Sequence, residues 1–349
     1  LVSDNRFVFC FGTNVLGSTD LDPMLLRWSD QENAVNWTPS STNQAGDLRL
    51  SKGSEIITAV QGRQEILVWT DSALYALQYV GAPAVWGSQT VGENLSIAST
   101  RAVAYANGVA YWMGVGGFYR YDGRVQTLPC TVKRYIFTDF NTEQYDQVFA
   151  GTNEAFSEVW WFYCPSGSTI ASRYVIYNYA QNIWYYGNLS RSAWIDSGIR
   201  DFPLAATYNN NVVNHEDGID DNETGTGAGI SSFITSAQFD LDDGHRFAFI
   251  QKVYPDVTFD GSTAESPSAT LSLFAAQNSG SGRNSPASEG GTNTGSITRT
   301  ATAPIEAFTS RLDLRVRGRQ LALKIESSDA GVKWQLGSPR LEMRPDGRR

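Results

Sequence analysis

The sequence predicts an all-β protein, with β-propeller-like blades of short antiparallel strands followed by a C-terminal β-sandwich. Three observations predict it. A tryptophan recurs inside an apolar, strand-like run at Trp28, Trp69, Trp112 and Trp160, with spacings of 41, 43 and 48 residues. A period of roughly 40–50 residues with several short strands per unit belongs to propeller blades. Phe, Trp and Tyr make up 12% of the chain and glycines number 32, which suits many short strands joined by tight turns. Beyond residue 230 the apolar pattern alternates with no helical period, as in a small sandwich.

The elements follow in order. The first unit, Arg6 to Ser40, opens with the strand Arg6–Phe11 and is interrupted by Asn14 to Pro23. The second reads as strands Glu55–Val60, Glu65–Trp69, Ala73–Tyr79 and Trp86–Val91, with Thr70-Asp71-Ser72 as a polar turn. The third repeats the plan with Ala102–Tyr105, Val109–Met113, Gly117–Tyr121 and Val125–Leu128. Asn107-Gly108 and Asp122-Gly123 at its connections suit two-residue hairpins because both dipeptides tolerate positive φ. The fourth has Gln147–Ala150, Glu158–Tyr163, Arg173–Tyr179 and Ile183–Tyr186, and a last hairpin spans Phe202 to His215. The propeller is expected over 1–229, with Glu216 to Gly229 as an acidic, Gly-rich linker. The sandwich is expected over 230–349, with a long flexible loop at 275–304 that is almost pure Ser, Thr, Gly, Asn and Ala. Leu1-Val2-Ser3-Asp4 reads as a truncated end, so that an N-terminal part of the propeller is expected to be missing.

Charge and composition exclude several classes. The net charge is −9, which argues against a DNA-gripping domain but lets a duplex slide past an acidic wall. No apolar run approaches the length of a membrane span. Cys10, Cys130 and Cys164 fit neither a disulfide framework nor a metal pattern, and are expected as core filler in a reducing compartment. Ser29-Asp30 resembles a degenerate Asp-box, in which Asp30 is expected to accept local backbone N–H groups rather than to mark an enzyme. The acidic clusters Asp217, Asp220, Asp221, Glu223 and Asp240, Asp242, Asp243 lack the pattern of a Ca²⁺ loop and read as solvated turns. Asp122 and Asp196 are examples of carboxylates a glycosidase would need in pairs, but spacing selects no pair. With His only at 215 and 245 and no nucleophile elbow or phosphate loop, no catalytic residue, cofactor or metal is expected.

Arginine concentrates near the C-terminus. In Leu312-Asp313-Leu314-Arg315-Val316-Arg317, alternation puts Arg315 and Arg317 on one sheet face and the Leu/Val set on the other. Arg315, Arg317, Arg319, Arg340 and Arg344 are therefore the candidate subunit interface, since arginine is enriched where proteins meet. A solvated sheet face is the plainer reading.

Several blocks resemble one family. They include Leu26-Arg27-Trp28-Ser29-Asp30-Gln31-Glu32, Ile66 to Tyr75, Tyr119 to Cys130, Glu158 to Tyr163, Tyr174 to Tyr179 and Arg344-Pro345-Asp346-Gly347-Arg348-Arg349. They are similar to tail hub or nozzle proteins of tailed bacteriophages, the packaged-DNA stabilisation proteins. That resemblance implies a non-catalytic virion protein, assembled in the host cytoplasm, that forms a ring of identical subunits, commonly a hexamer. It also implies contact with a head-to-tail adaptor or other tail proteins, with genome DNA passing through the channel without sequence-specific binding. A peripheral tail protein binding fibres or a host receptor is the first alternative, and a glycan-degrading propeller enzyme the second.

Overall fold

The computed structural model describes residues 1–225, 227–241, 245–276 and 297–347. The chain divides into two compact units, Leu1–His215 and Glu216–Arg349. The division thus falls at residue 215 rather than at 229. The reason is local: Asp220–Asp221 pairs with Ala228–Gly229, and the Asp220 carboxylate accepts the Gly331 N–H at 2.6 Å. The stretch expected as a linker is therefore tied into the second unit.

The first unit holds five antiparallel sheets, each built from consecutive strands. Sheet A has Phe9–Asn14, Leu21–Trp28 and Gly46–Arg49. Sheet B has Ile56–Gln61, Ile66–Thr70, Ala73–Gly81 and Val85–Glu93. Sheet C has Val103–Ala106, Val109–Gly114, Gly117–Tyr121 and Val125–Leu128. Sheet D has Phe149–Asn153, Glu158–Tyr163, Arg173–Asn178 and Ile183–Asn188. Sheet E is a short one of Ala193–Ile195, Leu204–Ala206 and Val212–Asn214. In sheets A to D the recurrent tryptophan always lies on the second strand. The sequence period is thus the repeat of one structural position.

Strand alternation explains how the sheets are held. Successive side chains point to opposite faces, and here both faces are covered. On sheet B, Ile66, Val68, Tyr75 and Trp86 pack with Phe7, Phe9 and Trp28 of sheet A and its approach, while Leu67, Trp69 and Leu74 join a cluster with sheet C. Trp69 and Trp112 meet edge-on, with centroids 5.4 Å apart. On sheet C, Trp112 faces B, whereas Phe118 stands 5.0 Å from Trp161 of sheet D. The neighbours Trp160 and Trp161 then divide. Trp161 is fully buried toward C and donates its indole N–H to the Ala102 carbonyl at 3.0 Å. Trp160 stacks on Trp194 of sheet E at 5.0 Å. The core is a series of interfaces between successive sheets rather than one centre.

Turn chemistry follows the residues. Asn107 and Gly108 both have positive φ, 49° and 80°, and join strands whose register closes at Ala106 and Val109, as a two-residue hairpin requires. The Asp122-Gly123 connection is longer than expected: Tyr121 pairs with Val125, which leaves Asp122, Gly123 and Arg124 in the loop. A short helix, Lys133–Asp139, which the sequence did not announce, buries Tyr135 and Ile136 between sheets C and D in chain order.

The second unit has a five-stranded and a three-stranded antiparallel sheet, with a two-residue pair, Val257–Thr258 with Gln335–Leu336. The larger sheet runs Ser232–Thr235, Gln320–Ser327, Ser268–Ala276, Ile297–Glu306, and Phe239–Asp240 also pairs Gln320–Ser327. The smaller runs Leu312–Gly318, Ala248–Tyr254, Arg340–Pro345. Ile250 and Val316 from the smaller sheet share one buried cluster with Leu271, Leu273 and Ile325 from the larger. The loop expected at 275–304 is corrected at both ends. Ala275 and Ala276 finish one strand, and Ile297 onward forms the next, in register from Ala276–Ile297 to Ser268–Glu306. Positions 277–296 of that expectation lie outside the described residues.

Candidate functional site

The outer face of the three-stranded sheet carries Arg315, Arg317, Arg340 and Arg344, and Arg319 follows directly on the strand that ends at Gly318. Alternation is as the residues suggest: Leu314 and Val316 are buried, Arg315 exposed and Arg317 half-buried. Backbone register aligns the face in rows. Arg317 and Arg344 flank Phe249, Asp313 and Glu342 flank Lys252, and Arg340 lies opposite Tyr254. Arg315 falls beside the irregularity between Ile250 and Lys252. The strand Arg340–Pro345, which was not among the strands expected from the sequence, is what brings Arg340 and Arg344 onto the same sheet as Arg315 and Arg317.

The five arginines are not equivalent. Arg317 donates from Nε to the Asp346 carboxylate and from Nη2 to the Asp346 carbonyl at 3.0 Å. Its guanidinium lies 3.9 Å from the Phe247 ring centroid, with that of Arg319 at 5.0 Å. Arg344 donates to Glu342 at 2.7 Å, and Lys252 meets the other Glu342 oxygen at 3.1 Å. These two cations hold the Glu342 carboxyl below its ordinary range, Lys252 contributing first and Arg344 second. Arg315 and Arg340 are exposed and form no ion pair or side-chain hydrogen bond among the described residues. Exposed pairs such as Arg344–Glu342 contribute about 0–1 kcal/mol, so the face is available to a partner at little cost. Arg348 and Arg349 lie outside the described residues.

Other sequence candidates serve local hydrogen bonds and ion pairs. Asp30 Oδ1 accepts the N–H groups of Gln31 at 3.0 Å and Gln44 at 2.8 Å, the local role expected of it. Asp196 accepts from Glu154 N at 3.0 Å and Ser197 N at 2.6 Å, and Asp122 lies 3.9 Å from Arg120. Asp221 accepts from Glu223 N at 2.9 Å. Among the described residues no group of three or more His, Cys, Asp and Glu is placed to hold a metal. Asp242 and Asp243 lie outside them.

The cysteines differ from expectation in one case. Cys164 is buried and Cys130 half-buried, but Cys10 is exposed. Cys10 follows the buried Phe9 on its strand and takes the opposite face. Burial pushes the Cys130 thiol up to about 12 and that of Cys164 up to about 11. No helix among the described residues is long and apolar enough to cross a membrane.

No family model and no curated protein matches the chain. Among solved structures it is similar to Kluyvelomyces marxianus Hsv2, at 8% identity and a TM-score of 0.32, over 53% of this chain and 54% of that one. It is also similar to the Neurospora crassa Pan2 WD40 domain, at 11% identity and a TM-score of 0.28, over 44% of this chain and 43% of that one. The chain spans about half the length of the solved structures it matches. The architecture rests instead on the sheet order and the interfaces described above.

Proposed function

We propose that this chain is a structural component of a phage tail, a nozzle or hub ring that continues the DNA conduit and helps retain the packaged genome. In this reading sheets A to E are blades of a β-propeller, the second unit is a β-sandwich, and the sandwich's arginine face contacts a neighbouring copy. One observation carries the mechanical part: each of sheets B, C and D buries both faces against its neighbours in chain order. Such stacking gives a stiff body whose parts cannot slide separately, which suits a load-bearing conduit wall.

Electrostatics supports the same reading. At a net charge of −9 the surface repels phosphates, so a duplex passes without the ion pairing that would stall it. One sheet face of the second unit carries several cations close together, and there Arg315 and Arg340 form no ion pair among the described residues. A closed ring of identical subunits needs a heterologous contact, and a basic face meeting an acidic neighbour supplies one. The adaptor above and the tail proteins below belong to the proposal through the family resemblance alone. No catalytic step is part of it.

Imaging tests the reading directly. Averaged electron micrographs of the purified chain at low ionic strength are expected to show rotationally symmetric rings with an axial opening at least as wide as a duplex. Antibody labelling of virions is expected at the tail, below the portal. A globular monomer at every ionic strength, or labelling confined to the capsid, would overturn it.

A further inference from the structure

The first unit has a cleft of about 460 Å³ at one end of the contact between sheets A and B. Its floor is aromatic. Trp86 is only 4% exposed and stands edge-on to Phe7 and Phe9 at 5.7 and 5.0 Å. Tyr79, 5.5 Å from Trp86, is 37% exposed and lines the cleft. Around this floor the lining is rich in amides: Asn5 from the approach to sheet A, Gln61 and Gln64 from the first hairpin of sheet B, and Gln78 from its third strand.

Two polar atoms of cleft-lining residues are buried without a hydrogen-bond partner among the described residues, the Trp86 indole N–H and the Gln61 side-chain carbonyl. One is a donor and the other an acceptor. A native protein rarely leaves such groups unmatched, and both belong to residues that line the cleft. Amides elsewhere on the wall have the same dual character. The charges are mixed: Asp4 and Glu65 stand against Arg63, a balance that disfavours an anion. Glu65 is further engaged by Gln78 Nε2 at 3.5 Å and by the Tyr121 hydroxyl, which this bond and the stronger effect of burial push up to about 12.

An exposed aromatic ring for an apolar C–H face, ringed by amides that donate and accept, is the chemistry that recognises a polyhydroxylated ring. We infer that this cleft binds a neutral saccharide of one or two rings. An apolar ligand would leave the amides unpaired, and a phosphate or uronate would meet two carboxylates and one arginine. The volume falls within the roughly 300–1,000 Å³ typical of small-molecule sites. The cleft is formed within the first unit and needs no second copy, so it stands or falls apart from ring assembly.

Saturation-transfer NMR on the full chain tests this, with N-acetylglucosamine and maltose as neutral probes and glucuronate as the acidic one. Saturable binding of at least one neutral probe is expected, with glucuronate weaker. Tyr79→Ala is expected to weaken the neutral probe by about tenfold, the equivalent of one good aromatic contact. Gln64→Ala and Arg63→Ala, at the exposed turn of the hairpin, leave the A–B core intact and keep the test valid should Tyr79→Ala lose its fold by circular dichroism. Gln64→Ala is expected to weaken binding, whereas Arg63→Ala is expected to leave neutral binding within about threefold. No binding of either neutral probe, binding indifferent to both Tyr79→Ala and Gln64→Ala, or a preference for glucuronate would overturn the inference.

Discussion

Adjacent tryptophans on sheet D give the sharpest test of the stacked architecture. Trp160 and Trp161 are neighbours in sequence, yet one packs on sheet E and the other on sheet C. Substitution to leucine removes the aromatic face and the indole N–H while leaving an apolar side chain. Each single change is expected to cost about 1–3 kcal/mol. For Trp161→Leu that includes the bond to the Ala102 carbonyl, and for Trp194→Leu the bond to the Thr152 carbonyl at 2.8 Å, each contributing about 0.5–1.5 kcal/mol. The discriminating quantity is the coupling. Trp160 and Trp194 stack at 5.0 Å with planes 18° apart, so Trp160→Leu with Trp194→Leu should show an interaction energy of about 0.5–1.5 kcal/mol. Trp161 shares no face with Trp194, so that double variant should add within about 0.5 kcal/mol.

Urea titrations followed by far-UV circular dichroism supply the midpoints and slopes, because tryptophan fluorescence would change with the substitutions themselves. Coupling between Trp161 and Trp194 as large as that between Trp160 and Trp194 would refute the reasoning. It would mean that the two faces of sheet D do not bury separate neighbours.

Four further outcomes follow from the same structure. Gly151→Ala should destabilise by about 1–3 kcal/mol in a thermal melt, because the added methyl meets the Trp194 ring, although glycine is normally the poorer strand residue. Arg315→Ser combined with Arg340→Ser should leave stability within about 0.5 kcal/mol yet weaken any self-association measured by sedimentation; unchanged association would remove these residues from the interface. Hydrogen bonds from Arg49 and then Met24 hold the Asp22 carboxyl below its ordinary 3.8, and those from Ser54 do the same for Asp71. The stability these groups contribute is present above pH 3.8 and lost as pH falls through the lower folded values, so Asp71→Asn should flatten the acid limb of a midpoint-against-pH curve. Iodoacetamide followed by mass measurement should add one group to the folded chain, at exposed Cys10, and three to the unfolded chain.

Much of the first unit was legible because a tryptophan on the second strand of a doubly buried sheet has nowhere else to go, and its spacing therefore records the sheets themselves. The edges were harder. Ile297–Glu306 reads as a polar low-complexity stretch, yet it is the outermost strand beside Ser268–Ala276. An edge position tolerates Pro304 and needs few large apolar residues. The helix Lys133–Asp139 has no side-chain N-cap bond and no acidic residue in its first turn, so no local signal announced it; Tyr135 and Ile136, packed into the core that sheets C and D share, hold it. Of the arginine-bearing face, Arg315 and Arg317 were placed by alternation. Arg340 and Arg344 joined them only through pairing at long sequence distance. The cleft was invisible for the same reason, since Asn5, Gln61 and Tyr79 meet by sheet stacking and not by any motif.

Several carboxylates among the described residues have a common structural role. Asp71 accepts from the Ser54 N–H at 2.9 Å and hydroxyl at 2.6 Å. Asp196 accepts from Glu154, Asp220 from Gly331, and Asp256 from the Ser338 N–H at 2.6 Å. Each ties together loops distant in sequence by satisfying a backbone donor that no strand partner takes. A protein of many short strands has many such orphan donors, and a carboxylate matches them without needing a buried site. In these four cases the negative charge is placed by the backbone donor it serves. The acidic surface follows from the strand-and-turn architecture, and the basic sheet face stands apart from it as the feature that architecture does not require.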